Sequence, residues 1–185
     1  IVKSKNTVVV VCHGFSDTKE TLQYYYLPLA YQGYTILAYD ARGIGESKKV
    51  GRRSQFLKRI DDYRKIIEWV KHHDQLKDKR VFSVGFSIGA ITVLCGGFSN
   101  VYIEKIIAIS SISNYKQNLP KYSPIVMLSY LLRGVKLFPN KEENEELSPY
   151  IVIEKFKRLL SEELWRDYSK RIFLIHARND KIIKF

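Results

Sequence analysis

One stretch constrains the chain more than any other: Arg80-Val81-Phe82-Ser83-Val84-Gly85-Phe86-Ser87-Ile88-Gly89-Ala90. Its first part is almost entirely apolar or small, the pattern of a strand buried on both faces of a parallel sheet. From Ala90 to Gly97 the residues are again small and apolar, which predicts a tightly packed helix. Between them, Gly85-Phe86-Ser87-Ile88-Gly89 predicts a sharp strand-to-helix turn with a serine at its tip. A serine on so tight a turn sits in a strained backbone. Side chains two positions to either side would strike the adjoining strand and helix, and glycine at 85 and 89 removes them. Ser87 Oγ then stands clear of the sheet at the positive end of the following helix. Taken alone, the pentapeptide also fits a glycine-rich turn with an incidental serine, so the neighbouring elements decide.

The N-terminal half supplies two of them. Residues 6–12 form a β-branched run that predicts a central strand, followed at once by His13-Gly14-Phe15. Residues 17–32 predict a helix shortened or kinked by Pro28 and closed by Gly33. A second strand over 34–39 runs into the polar, glycine-punctuated loop Asp40 to Ser47. In the helix predicted over 52–73, Phe56, Ile60, Tyr63, Ile67 and Val70 recur at steps of four and three. His72 and His73 at its end read as solvated or capping groups.

Beyond the serine turn, 103–109 predicts a fourth strand with Asn114 just past its end, and 171–175 a fifth, leading to His176 and Asp180. Between these strands the alternation breaks, over roughly 115–168. Two amphipathic helices are expected there, started by Ser123-Pro124 and Ser148-Pro149, with the serines as caps and a charged 140–146 segment between. The apolar faces of the two (Ile125, Leu128, Leu131, Phe156) suggest a lipophilic substrate group. Tyr24, Tyr25, Tyr26, Tyr130 and Trp165 are read as packing residues, and Asp40 and Arg42 as loop braces joined in a salt bridge.

Composition narrows the function classes. The chain has 185 residues and a net charge of +12, but its lysines and arginines are scattered among acidic residues with no nucleic-acid-binding motif. A solvated basic surface is expected, and no nucleic-acid partner. No apolar run reaches the ~18 residues that span a bilayer. Nothing at the start reads as a signal peptide, and an opening Ile1 is expected to reflect a cut or undetermined N-terminus. Cys12 and Cys95 both fall in apolar elements; buried free thiols and a reducing, cytoplasmic location are expected.

Strand–helix alternation predicts an α/β fold, a doubly wound and mostly parallel sheet, in which ligands bind beyond the carboxyl ends of the strands. His13-Gly14-Phe15, Asp40 to Ser47, Ser87, Asn114 and Asp180 all follow strands, so they converge on one edge. With Asp40-x-Arg42-Gly43-x-Gly45-x-Ser47, Gly85-x-Ser87-x-Gly89 and His176-x-x-x-Asp180 in this order, the chain resembles the α/β-hydrolase superfamily over essentially its whole length. The resemblance implies one hydrolase domain over 1–185 with a helical cap inserted at about 115–168. It implies Ser87 as nucleophile, Asp180 as the acid that orients the histidine, and the backbone amides of Phe15 and Ile88 as oxyanion hole. Asn114 has no carboxylate, which favours Asp180 as the acid.

The chemistry implied is acyl transfer to water from a small ester or acyl substrate, because a serine hydroxyl becomes a competent nucleophile only when a histidine removes its proton. No metal cluster or phosphate-cradling loop is visible, so no cofactor is expected. The family's histidine lies downstream of the acid, and none of His13, His72, His73 and His176 occupies that place. The sequence is therefore expected to lack the last strand, helix and histidine loop, and the fragment to be inactive or nearly so. A serine peptidase or amidase of the same fold, and a non-catalytic ligand-binding relative, remain open beside the esterase reading.

Overall fold

The computed structural model describes residues 4–119 and 124–180, the side chain of Val126 excepted. Among these residues five strands make one all-parallel sheet: β1 (Thr7–Cys12), β2 (Thr35–Ala38), β3 (Arg80–Phe86), β4 (Ile103–Ile109) and β5 (Ile172–Ile175), in the order β2-β1-β3-β4-β5. The chain leaves β1 toward one edge and leaves β3 toward the other. Between those two strands lies the switch point where such sheets open a crevice.

Alternation along the strands sets the layers. Val8, Val10, Val81 and Ile106 face α2 (Phe56–His72) and α3 (Ile88–Gly97), meeting Tyr63, Ile67, Val70, Val93, Leu94 and Phe98. Val9, Val11, Phe82, Val84 and Phe86 face the other side, where α1 (Gln23–Tyr31) contributes Tyr26 beside the preceding Leu22. The apolar stripe predicted for α2 is its buried face, and every predicted strand is present. A buried hydroxyl pair, Tyr63 Oη and Ser83 Oγ at 2.7 Å, ties α2 to the central strand.

α1 is shorter than the predicted 17–32. Thr18 and Thr21 bond each other's backbone and side chains, which diverts the chain into a turn before the helix begins. Pro28 lies inside α1 without ending it. Tyr24 is not a packing residue, being 91% exposed, while Tyr25 stacks on Phe86 at 4.9 Å.

Among the described residues the segment between β4 and β5 holds five helices rather than two: α4 (Tyr115–Asn118), α5 (Pro124–Leu132), α6 (Lys141–Leu147), α7 (Pro149–Lys157) and α8 (Glu162–Ser169). The charged 140–146 segment is helical because Asn140 and Glu143 cap it reciprocally. Ser161 caps α8 by accepting from the Leu164 amide. Ser123, the cap expected for α5, lies outside the described residues. Ser148 does not cap α7; its Oγ accepts from the Tyr115 amide and donates to Asn144 Oδ1. The apolar residues from which a lipophilic substrate group was expected differ in their surroundings. Ile125 is 81% exposed, Leu128 and Leu131 are also exposed, and Phe156 packs with Phe98 and Tyr168.

Among the described residues β5 pairs with β4 alone, and Phe173, Leu174 and Ile175 on it are all more than half exposed. No helix of the described residues is long and apolar enough to cross a membrane.

Candidate active site

The turn after β3 has the backbone its sequence calls for. Ser87 sits at φ 53°, ψ −116°, a left-handed region that side chains other than glycine's rarely enter. Its amide donates to the Ile109 carbonyl at the end of β4, and its carbonyl accepts from the amides of Ala90 and Ile91. The flanking glycines are needed for close approach. A Cβ on Gly85 would lie 2.3 Å from the Gly89 carbonyl oxygen, and one on Gly89 would lie 2.1 Å from that of Cys12. The same contact sets the N-terminus of α3 against the end of β1, and so against His13-Gly14-Phe15.

A buried network holds that loop. His13 Nε2 accepts from the Ala41 amide at 2.8 Å, so Nδ1 carries the proton and donates to the Gly14 carbonyl at 2.7 Å. Burial, then the nearby Arg59 charge, lower the His13 pKa, and the ring is neutral. Both its nitrogens are engaged in shaping the loop. Arg59 Nη2 donates to the His13 carbonyl at 2.9 Å, while Arg59 Nε and Nη1 have no hydrogen-bond partner among the described residues. The guanidiniums of Arg53 and Arg133 lie 5.8 and 6.0 Å from the centre of the Phe15 ring.

The loop after β2 closes beside it. Asp40 accepts from the Lys19 and Glu46 amides, and these with the Lys19 ammonium keep its carboxyl below the usual range although burial pushes the other way. Arg42 does not pair with Asp40; it makes a two-pronged salt bridge to Asp62 on α2, at 2.6 and 2.7 Å. Cys12 and Cys95 are buried and unbridged, and burial pushes the Cys12 thiol up to about 12.

Phe15, Ser87 and Ile88 line one cavity of about 60 Å³, together with aromatic and aliphatic residues of α2, α3, α5 and the loops after β4. The other expected residue, Asp180, does not line this cavity. Asp180 follows β5, with its carboxylate 3.7 Å from His176 Nε2 and its amide bonded to Ala177. His176 lines a second, larger cavity that shares Ile112 with the first. His72 and His73 lie where α2 ends, just before the start of β3, and so at the opposite edge of the sheet. None of the four histidines lines the cavity at Ser87. Asn114 caps α4, accepting from the Gln117 amide.

Several lining residues were not foreseen. Tyr130, expected to pack, faces the cavity, as do Phe56, Ile112 and Tyr115. Arg59 had a signal in the sequence: a charge on the buried side of α2, three residues after Phe56 and one before Ile60.

Solved structures share this fold. The esterase Pf2001 of Pyrococcus furiosus superposes with a TM-score of 0.61 at 22% identity over 97% of this chain, which spans 64% of that esterase's length. A lipase-esterase related protein of Clostridium acetobutylicum superposes at 0.55, with 14% identity over 97% of this chain and 88% of its own. A serine hydrolase of Xanthomonas campestris described as lacking a lid superposes at 0.54, with 16% identity over 95% of this chain and 72% of its own. At such identities these likenesses establish the fold. No curated protein matches the chain in sequence. The sequence profile of the serine aminopeptidase family S33 does match, over residues 3–159. With that profile across most of its length and the sheet and serine turn of the α/β-hydrolase fold, the chain belongs to this S33 family of α/β hydrolases.

Proposed function

We propose that the protein is a serine hydrolase that cleaves carboxylic esters through an acyl-enzyme. The backbone of Ser87 carries the reading: a non-glycine residue held at φ 53° at the mouth of an apolar cavity, where such strain costs about 1–3 kcal/mol and is kept by the surrounding structure. Ser87 Oγ attacks the ester carbonyl carbon while a histidine takes its proton. The carbonyl oxygen becomes an oxyanion facing the Phe15 and Ile88 amides, the latter the first of α3 and one that a helix leaves unbonded within itself. Collapse of this intermediate breaks the bond to the alcohol, which leaves with the proton. Water then repeats the sequence on the acyl-Ser87. Asp180 orients the histidine, which comes from outside residues 4–180. Helices α4 to α8 form the cap of one domain, and the chemistry asks for no cofactor.

The test uses the full-length gene product, a fluorophosphonate probe and a nitrophenyl ester. Ser87→Ala is expected to abolish both labelling and turnover. Asp180→Asn is expected to lower kcat by about 10³–10⁴ while the protein stays folded. Turnover unchanged in Ser87→Ala refutes the assignment. The 185-residue chain alone is expected to show little turnover. The family's description as serine aminopeptidases favours a second reading, cleavage of amides at the same serine. Matched ester and amide substrates with one acyl group separate the two.

A further inference from the structure

The cavity at Ser87 is small and its walls interlock. It offers about 60 Å³. Beside the neighbouring cavity of about 390 Å³, that is room for a short group only. Four aromatic rings form its sides in an edge-to-face chain. Phe15 meets Tyr130 and Phe56, each at 5.9 Å, and Phe56 meets Tyr115 at 6.0 Å. Tyr115 is itself fixed, its amide bonded to Ser148 Oγ and its phenol donating to the Lys136 carbonyl. Turning one ring therefore displaces the next, and the space does not widen through a single rotamer change.

Ile112 and Val135, both buried, add to the wall beside Ile88, Ile91 and Leu119. On the far side of Ile112 lies the larger cavity of about 390 Å³, bounded by Leu94, Ile153, Leu174 and His176. Ile112 borders both spaces, and Ser87 borders only the small one.

During turnover the acyl group stays bonded to the serine after the alcohol has gone, so the ring-walled apolar space beside Ser87 suits the acyl group and the side open to solvent suits the leaving group. We infer that this cavity is an acyl pocket restricting the protein to short, uncharged acyl groups, with Ile112 as the stop that bars longer chains. The inference rests on Ser87 being the nucleophile of an ester hydrolase.

The experiment measures kcat/KM of the full-length protein on nitrophenyl esters from acetate to dodecanoate. The optimum is expected at four carbons or fewer, with a fall of at least tenfold by eight, since a methylene without room costs about tenfold or more. Ile112→Ala opens the small cavity toward the larger one and is expected to raise the octanoate-to-butyrate ratio by about tenfold. Tyr130→Ala, on the partly exposed α5, enlarges the pocket from another side and is expected to shift the ratio the same way if Ile112→Ala does not fold. A wild-type preference for eight carbons or more overturns the inference, as does an unchanged ratio in a variant with wild-type circular dichroism. Absence of turnover on every ester, with Ser87→Ala indistinguishable from wild type, instead overturns the ester-hydrolase reading and the pocket with it.

Discussion

Replacing Gly89 by alanine sets two opposing effects against each other, and the structure says which wins. Gly89 lies in α3 with ordinary helical φ, where alanine is intrinsically favoured by up to about 1 kcal/mol. Yet its Cβ would lie 2.1 Å from the Cys12 carbonyl oxygen and 2.7 Å from both the Cys12 carbonyl carbon and the His13 carbonyl oxygen. These are backbone atoms at the end of β1, where Cys12 is in register with Gly85 on β3, so they have little freedom to yield. Overpacking of this kind costs about 3 kcal/mol, the upper part of its usual range, which leaves a net loss of about 2 kcal/mol and a drop of about 4–8 °C in Tm for a protein of this size. Gly14→Ala is the contrast. Its Cβ meets the Asp17 carboxylate, a side chain that can rotate away, and the next atoms lie at 3.5 Å or more. A loss below about 1 kcal/mol is expected there. Urea unfolding followed by circular dichroism measures both. Gly89→Ala as stable as wild type, or Gly14→Ala the more damaged of the two, refutes the close-approach argument.

Ser87→Gly is expected to be more stable than Ser87→Ala by about 1 kcal/mol, because only glycine relaxes at φ 53°; equal urea midpoints contradict the strain. Tyr63→Phe strips the buried Ser83 hydroxyl of its partner and is expected to cost about 1–3 kcal/mol, while the double change with Ser83→Ala costs less than the two single losses together; additive losses in denaturant unfolding argue against the pair. For His13 the folded pKa lies below the unfolded value of 6.5, so the unfolded chain takes up its proton first as pH falls. Its contribution is complete above 6.5 and is lost as pH drops below it, with a slope of at most about 1.4 kcal/mol per pH unit. Unfolding free energies at pH 8, 7, 6 and 5 are expected to show that slope in wild type and not in His13→Asn; parallel curves refute it.

The sheet was legible because its strands are mainly apolar runs that end in motifs carrying chemistry. The serine turn was legible because two glycines at fixed spacing have a single steric purpose. What the sequence hid has a common cause, the competition of local side-chain bonds with helical periodicity. Thr18 and Thr21 delay α1 by bonding backbone that a helix would have used. In α6, the capping of a densely charged segment by Asn140 and Glu143 makes a helix without an apolar stripe. The cavity walls were hidden for another reason. Phe15, Phe56, Tyr115 and Tyr130 come from four separate parts of the chain, and only their packing shows that they enclose one space. Helix periodicity located α5 but not the direction of its side chains, which left Ile125 and Leu128 exposed and turned Tyr130 inward.

The outer side of β5, which has no strand neighbour among the described residues, bears on how the chain behaves in a test tube. A strand that pairs on one side only among the described residues, carrying exposed Phe173, Leu174 and Ile175, is a template for pairing with the same strand of another copy. Light scattering of the 185-residue polypeptide should therefore rise with concentration, and a lysine in place of Leu174 should suppress that rise without touching the serine turn.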